Sequence, residues 1–194
     1  MTSNNSKLLT PHFTLQEFTE SATAKKHGIV NEPPSEAVEN LRRLCQSTLE
    51  PLREKLGLPV IITSGYRCER LNDIIVHHSK RSQHMEGRAA DFYVAREAVS
   101  GSKEQVPGSM FQGSMFQVSG SKEQVPSRRK LLIKAFRLIL LEPEIDFDQL
   151  ILYPTFIHVS YISKEKNRRG ILLARSDGKL GYGRCTIATA LQIV

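Results

Sequence analysis

Apolar residues recur at helical spacing between Ser35 and Gly57: Val38, Leu41, Leu44, Cys45, Leu49, Leu52 and Leu56. Positions three and four apart share one face of a helix, so the stretch predicts one long amphipathic helix, capped by Ser35 and ended at Gly57. Ahead of it, residues 1–10 are polar and predict a loose lead. In His12 to Phe18, Thr14 caps a short helix and Glu17 completes a capping box. After Gly57 the spacing changes. Pro59-Val60-Ile61-Ile62-Thr63 is short and β-branched, which predicts a buried strand delivering the loop Ser64-Gly65-Tyr66-Arg67. Leu71, Ile74 and Ile75 predict a helix over Cys68 to His78, polar Ser79 to Gln83 a connecting loop, and Ala89 to Val94 a further strand.

Residues 100–126 break the pattern. Ser-Gly-Ser-Lys-Glu-Gln-Val-Pro occurs at 100–107 and again at 119–126, with Gly-Ser-Met-Phe-Gln twice between them. Duplication this short predicts a flexible surface insertion, since a solenoid needs longer repeats. A sharper alternative makes the insertion a lid bearing Met110, Phe111, Met115 and Phe116. Ser127 then caps a basic helix with Leu131, Leu132, Ala135, Phe136, Leu138 and Ile139 facing inward, ending near Pro143. Asp148 to Leu152 and Phe156 to Tyr161 predict an antiparallel pair, and Ile171 to Ala174 one more strand. Gly178, Gly181 and Gly183 mark a loop before an apolar tail.

The length of 194 residues fits one domain, 1–194, with the insertion inside it. Cys45, Cys68 and Cys185 are odd in number and widely spaced, which indicates reduced thiols rather than a disulfide framework. No stretch approaches the length of a membrane span, and the N-terminus lacks a basic region followed by an apolar run. The expectation is a chain made soluble in the cytoplasm. A net charge of +7 and a pI near 9.5 suit an anionic partner. No helix-turn-helix, zinc-finger or aromatic-basic RNA-binding signature accompanies the charge, so no nucleic acid is expected. A basic nucleic-acid-associated protein remains a third reading, and steeply salt-dependent binding would reveal it.

Chemistry concentrates in Ser82-Gln83-His84-Met85-Glu86-Gly87-Arg88-Ala89-Ala90-Asp91. Imidazole and carboxylate are ligands that zinc accepts, and a catalytic zinc site has three protein ligands and an open position. His84 in a loop and Asp91 on a strand would supply two, with His158 in the strand Phe156 to Tyr161 as the third. A hydrogen-bonded core pair would explain His84 and Asp91 equally well. His77 and His78 are adjacent and cannot easily converge on one ion, while His12 and His27 stand alone. Cys68 lacks a base beside it.

Ser64-Gly65-Tyr66-Arg67, Ser82-Gln83-His84 with Gly87 and Asp91, and His158-Val159-Ser160-Tyr161 stand in an order with a precedent. The chain resembles the short bacterial and phage members of the zinc D-alanyl-D-alanine carboxypeptidase-like (peptidase M15-like) family. His12 to Leu15, Asn40-Leu41 and Phe147 to Ile151 extend the resemblance over most of the chain outside the insertion. It implies an α+β fold, a small antiparallel sheet with flanking helices of the hedgehog and D-Ala-D-Ala-peptidase type. It also implies zinc on His84, Asp91 and His158, and cleavage of a peptide bond in a peptidoglycan stem, as a carboxypeptidase or an endolysin-type endopeptidase. Arg67 would bind substrate through its planar fork, and Ser82 would orient a ligand by a hydrogen bond.

Active relatives place an acid shortly before the last zinc histidine, whereas Tyr153-Pro154-Thr155-Phe156-Ile157 supplies none. Asp148, Asp146, Glu144 and Glu86 are the nearby carboxylates, and Tyr153 could donate to an oxyanion but is a poor base near neutrality. A zinc-containing module that binds peptidoglycan with weakened catalysis is therefore the alternative reading. The oligomeric state is not readable from sequence.

Overall fold

Thr14 opens α1 (Leu15–Thr19) as expected: its hydroxyl accepts from the Glu17 N–H, and the Glu17 carboxylate accepts from the Thr14 N–H. The chain is described here by a computed structural model that covers residues 7–75, 79–96, 127–174 and 182–193. The 100–126 repeats, His77, His78, Gly178 and Gly181 lie outside the described residues. The expected loose lead is ordered from Leu8, where β1 (Leu8–Thr10) pairs antiparallel with β2 (Phe13–Thr14). Leu9 and Phe13 are buried there, which holds the pair on the core. A short α2 (Ala22–Lys26) follows.

The long helix is present but interrupted. Helix α3 (Ser35–Leu44) and helix α4 (Glu50–Leu56) are joined by a wider π turn at Cys45–Leu49, where the Glu50 N–H reaches the Cys45 carbonyl. Pro51 has no N–H to offer Ser47, one helical turn back. The Ser47 carbonyl instead accepts from the Asp146 N–H at 3.0 Å, and the Thr48 hydroxyl donates to the Asp146 carbonyl. The π turn thus fastens the helix to the segment that leads into the sheet. At the other end Ser35 is the first helical residue, and extended Pro34 is the cap, its carbonyl accepting from the Val38 N–H. Gly57 closes α4 in the left-handed conformation, at φ +63°.

The larger sheet has the order β3 (Val60–Ser64), β4 (Ala89–Val94), β6 (Ile157–Ser160), β5 (Gln149–Leu152), β7 (Gly170–Ala174), β8 (Tyr182–Cys185). The protein is mixed α and β, but the larger sheet is not wholly antiparallel, because β5 and β7 run parallel. β3 was expected to be buried and instead forms an edge, with Val60 buried, Ile61, Ile62 and Ser64 partly covered and Thr63 exposed. β8 escaped the sequence reading; in that glycine-bearing stretch it is pairing with β7 that defines the strand. Helix α5 (Glu69–Ile74) buries Leu71 and Asn72 but leaves Ile74 exposed, and α7 (Ile187–Ile193) follows β8. Among the described residues, no helix is long and apolar enough to cross a membrane.

Helix α6 (Arg128–Leu141), capped by Ser127 as predicted, packs on β4 and α4. Its buried residues are Leu131, Leu132, Ala135, Phe136, Ile139 and Leu140, with Leu138 only partly covered. Along β4, Ala90, Phe92 and Val94 turn to this core and Asp91 to the opposite face, as strand alternation requires. Phe13, Phe18, Phe92, Phe136 and Phe147 are fully buried, each worth roughly 2–3 kcal/mol on burial. Such a core can hold a polar cleft on the other side of the sheet.

The β1–β2 turn is tied down by hydrogen bonds between His12 and Glu50. The His12 N–H donates to Glu50 Oε1 and His12 Nδ1 lies on Oε2, both at 2.8 Å. Burial raises the Glu50 pKa, but the two His12 hydrogen bonds outweigh it and hold the carboxyl below its ordinary value. A lowered folded-state pKa stabilises above the unfolded value and loses that contribution as pH falls through the folded one. Glu50→Gln should therefore cost about 1–3 kcal/mol near neutrality. The gap to wild type should close on acidification through the carboxylate range, measured as denaturant midpoints against pH. A gap independent of pH would contradict this.

Candidate metal centre

His84 sits in a short 3-10 turn, Gln83–Glu86, rather than the expected loop, and Gly87 ends the turn with φ +68°. Helix α3 supports it closely: Asn40 Nδ2 donates to the Glu86 carbonyl at 2.9 Å, and Ala37 lies against Gly87. The other support is the Ser64-to-Arg67 loop. Tyr66 N–H donates to the Phe18 carbonyl at 2.7 Å, and a Cβ on Gly65 would stand 2.5 Å from that oxygen. Backbone packing this close is open to glycine alone.

Gly65 then orients the histidine. Its carbonyl can only accept, so the 2.7 Å contact puts the proton on His84 Nδ1 and leaves the Nε2 lone pair pointing inward. Ser82, expected to orient a ligand and to bind substrate, lines the cleft. Burial lowers the His84 pKa, with Asp91 opposing, which favours the neutral ring.

Asp91 and His158 face each other as paired residues of β4 and β6. Asp91 Oδ1 lies 2.8 Å from His158 Nδ1 and 3.4 Å from His84 Nε2, and the two imidazole nitrogens are 3.3 Å apart. Asp91 Oδ2 accepts from Arg67 Nη2 at 3.0 Å, while Arg67 Nε donates to Ser64 Oγ at 3.0 Å. One carboxylate oxygen is thus held by arginine and the other turned to the histidines. Burial raises the Asp91 pKa, but both imidazoles pull the carboxyl well below the usual range. For Arg67, burial lowers the pKa against the opposing pull of Asp91.

These three donor atoms fit a metal ion. Tetrahedral zinc with bonds of about 2.0–2.1 Å sets its ligand atoms about 3.3 Å apart, close to the two distances made by His84. The donor set of two nitrogens and one carboxylate oxygen also suits zinc.

The register extends the site into a cleft of about 730 Å³. Asp91, His158, Ile151 and Leu172 are successive partners across β4, β6, β5 and β7 and form its floor. Tyr153 and Phe156, stacked at 4.2 Å, stand on its wall. Arg67, Arg81, Arg88 and Arg168 also line it. Of these, Arg81, Arg88 and Arg168 carry no site role in the sequence, where Arg81 and Arg168 belong only to short basic runs, because such runs do not show which cleft they face until the fold gathers them.

The nearby carboxylates separate by position. Asp148 is fully buried beneath the cleft and accepts from Gln83 Nε2 at 2.9 Å, from Arg168 Nε at 2.8 Å, from the Arg168 N–H at 2.9 Å and from Arg168 Nη2. Burial raises its pKa, and these donors more than offset that. Asp146 pairs with Asn167 and Arg169, and Glu144 with Lys55. Of the four, Glu86 alone lines the cleft, exposed and 3.0 Å from Arg88.

The family model described as Peptidase M15 matches residues 11–119. No curated protein and no solved structure matches the chain. The matched stretch carries Arg67, His84 and Asp91, and the fold brings His158 to them from beyond its end. Since that match spans more than half of the chain and includes two of the three converging donors, the protein belongs to the peptidase M15 family.

Proposed function

We propose that the protein is a zinc-dependent peptidase that hydrolyses a stem-peptide bond of peptidoglycan, as a D-Ala-D-Ala carboxypeptidase or an endolysin-type endopeptidase acting at the cell wall. The reading takes 1–194 as one domain of hedgehog-like type with an insertion at about 100–126. The observation that carries it is the convergence of His84 Nε2, Asp91 Oδ1 and His158 Nδ1 at the floor of an arginine-lined cleft. Held by these residues, zinc would supply Lewis acidity to activate a water and polarise the scissile carbonyl. Arg67 fixes Asp91 through Oδ2 and presents its outer edge to a substrate carboxylate. Tyr153 donates from its hydroxyl to the substrate carbonyl oxygen, and Ser82 contacts the peptide. Asp148, saturated by donors, supports the cleft wall, so Glu86 is the carboxylate that takes up the proton.

A second reading, a wall-binding module that does not cut, is favoured by the acid-free 153–157 segment and by the engagement of Glu86 with Arg88. Protein reconstituted with zinc should hold about one equivalent and release new free amines or D-alanine from purified sacculi. Retention on sacculi without release would select the binding module. Reconstituted protein without zinc would remove both readings.

A further inference from the structure

We propose that Arg168 is a carboxylate-recognising residue of the cleft, held ready by the buried Asp148. The proposal deepens the peptidase reading and rests on it for the identity of the substrate. Arg168 lies in the connection between β6 and β7, outside the stretch that the family model matches. Its Nε and Nη2 both donate to the Asp148 carboxylate, and its own N–H donates to Asp148 Oδ1. Asp148 is fully buried, yet the Arg168 side chain is 60% exposed and lines the cleft. The guanidinium therefore lies with one edge locked beneath the floor and its Nη1 edge open to the cleft.

That arrangement suits a ligand carboxylate. With the Nε–Nη2 edge spent on Asp148, the Nη1–Nη2 end of the planar guanidinium is the fork left to match two carboxylate oxygens. Arg168 is anchored at the backbone as well as the side chain, so little rotamer freedom remains to be lost on binding. Two other cleft arginines have acidic partners within the cleft itself, whereas the partner of Arg168 is buried. Arg88 pairs with Glu86, and Arg67 with Asp91. Asp148 also holds Gln83, the neighbour of His84, so one buried carboxylate ties the arginine to the histidine turn.

The test uses a synthetic peptide ending in D-Ala-D-Ala with free carboxylates, and a twin with every carboxylate replaced by a carboxamide. Both are titrated into the zinc-reconstituted and the metal-free protein. Wild type should prefer the free acid by about tenfold or more in both forms, the size expected of a charge-assisted fork. Arg168→Ala should remove most of the preference, leaving at most the share that Arg67 contributes. Because that change strands the buried Asp148 charge, Arg168→Ala/Asp148→Asn is measured beside it, with folding checked by circular dichroism. Arg168→Lys should keep the charge and lose most of the preference. Equal affinity of wild type for the two peptides, binding of neither, or a full preference in the double variant overturns the proposal. Cleavage of both peptides at equal rates would remove Arg168 while leaving the peptidase reading. A preference for the acid without cleavage would do the reverse.

Discussion

His158→Ala should lower zinc affinity by more than about a hundredfold and take peptidase activity with it, while leaving the fold intact. Replacing a residue that merely orients a ligand already costs about ten- to a hundredfold in metal affinity, and His158 would supply a donor atom itself. The change is clean because the remaining contacts persist: Gly65 still holds His84, and Arg67 still holds Asp91 Oδ2. Asp91→Ala should be worse for folding, since it leaves Arg67, 13% exposed, without its carboxylate. Zinc affinity measured by chelator competition, alongside a thermal melt, separates these effects. A His158→Ala protein that retains one equivalent of zinc at wild-type affinity would refute the three-donor site.

Gly87→Ala should destabilise the protein by about 3 kcal/mol or more and weaken zinc binding at the same time. The residue has φ +68°, and left-handed geometry costs an L-residue roughly 1–2 kcal/mol. The added Cβ would also lie 2.3 Å from the Ala37 carbonyl oxygen, so α3 and the 3-10 turn would have to separate. That turn carries His84. Gly57→Ala is the control, because Gly57 has φ +63° with nothing within 4 Å of an added Cβ. It should show the conformational cost alone, without loss of zinc. Equal melting temperatures for the two variants would show that the contact with Ala37 is not tight.

Local features were legible in the chain where their causes are local. The Thr14–Glu17 box needs residues three apart, and the Ser127 cap lies beside the helix it starts. The strand over Ala89–Val94 announces itself by composition and alternation. The long helix was legible as a face but not as a π turn, because the turn depends on Pro51 together with Asp146, nearly a hundred positions away. Asp148 shows the same limit at the site: in sequence it is one acid near His158, and its burial beneath Arg168 emerges only from the fold. The mixed character of the sheet was hidden for a related reason. Strand patterns state which face is apolar, not which neighbour a strand takes.

By itself the sequence determined the donor types: an imidazole before a glycine turn, an aspartate within a strand after two alanines, and a second imidazole in a later strand. Spacing and alternation are properties of a single segment, so these could be read without the fold. The tertiary structure decided that Asp91 and His158 stand opposite each other, that Gly65 turns His84 Nε2 toward them, and that Arg67 takes the second oxygen of Asp91. It also decided which carboxylate reaches the cleft. These depend on strand register and on backbones packed too closely for any side chain, and a one-residue slip would turn Asp91 or His158 to the opposite face of its strand.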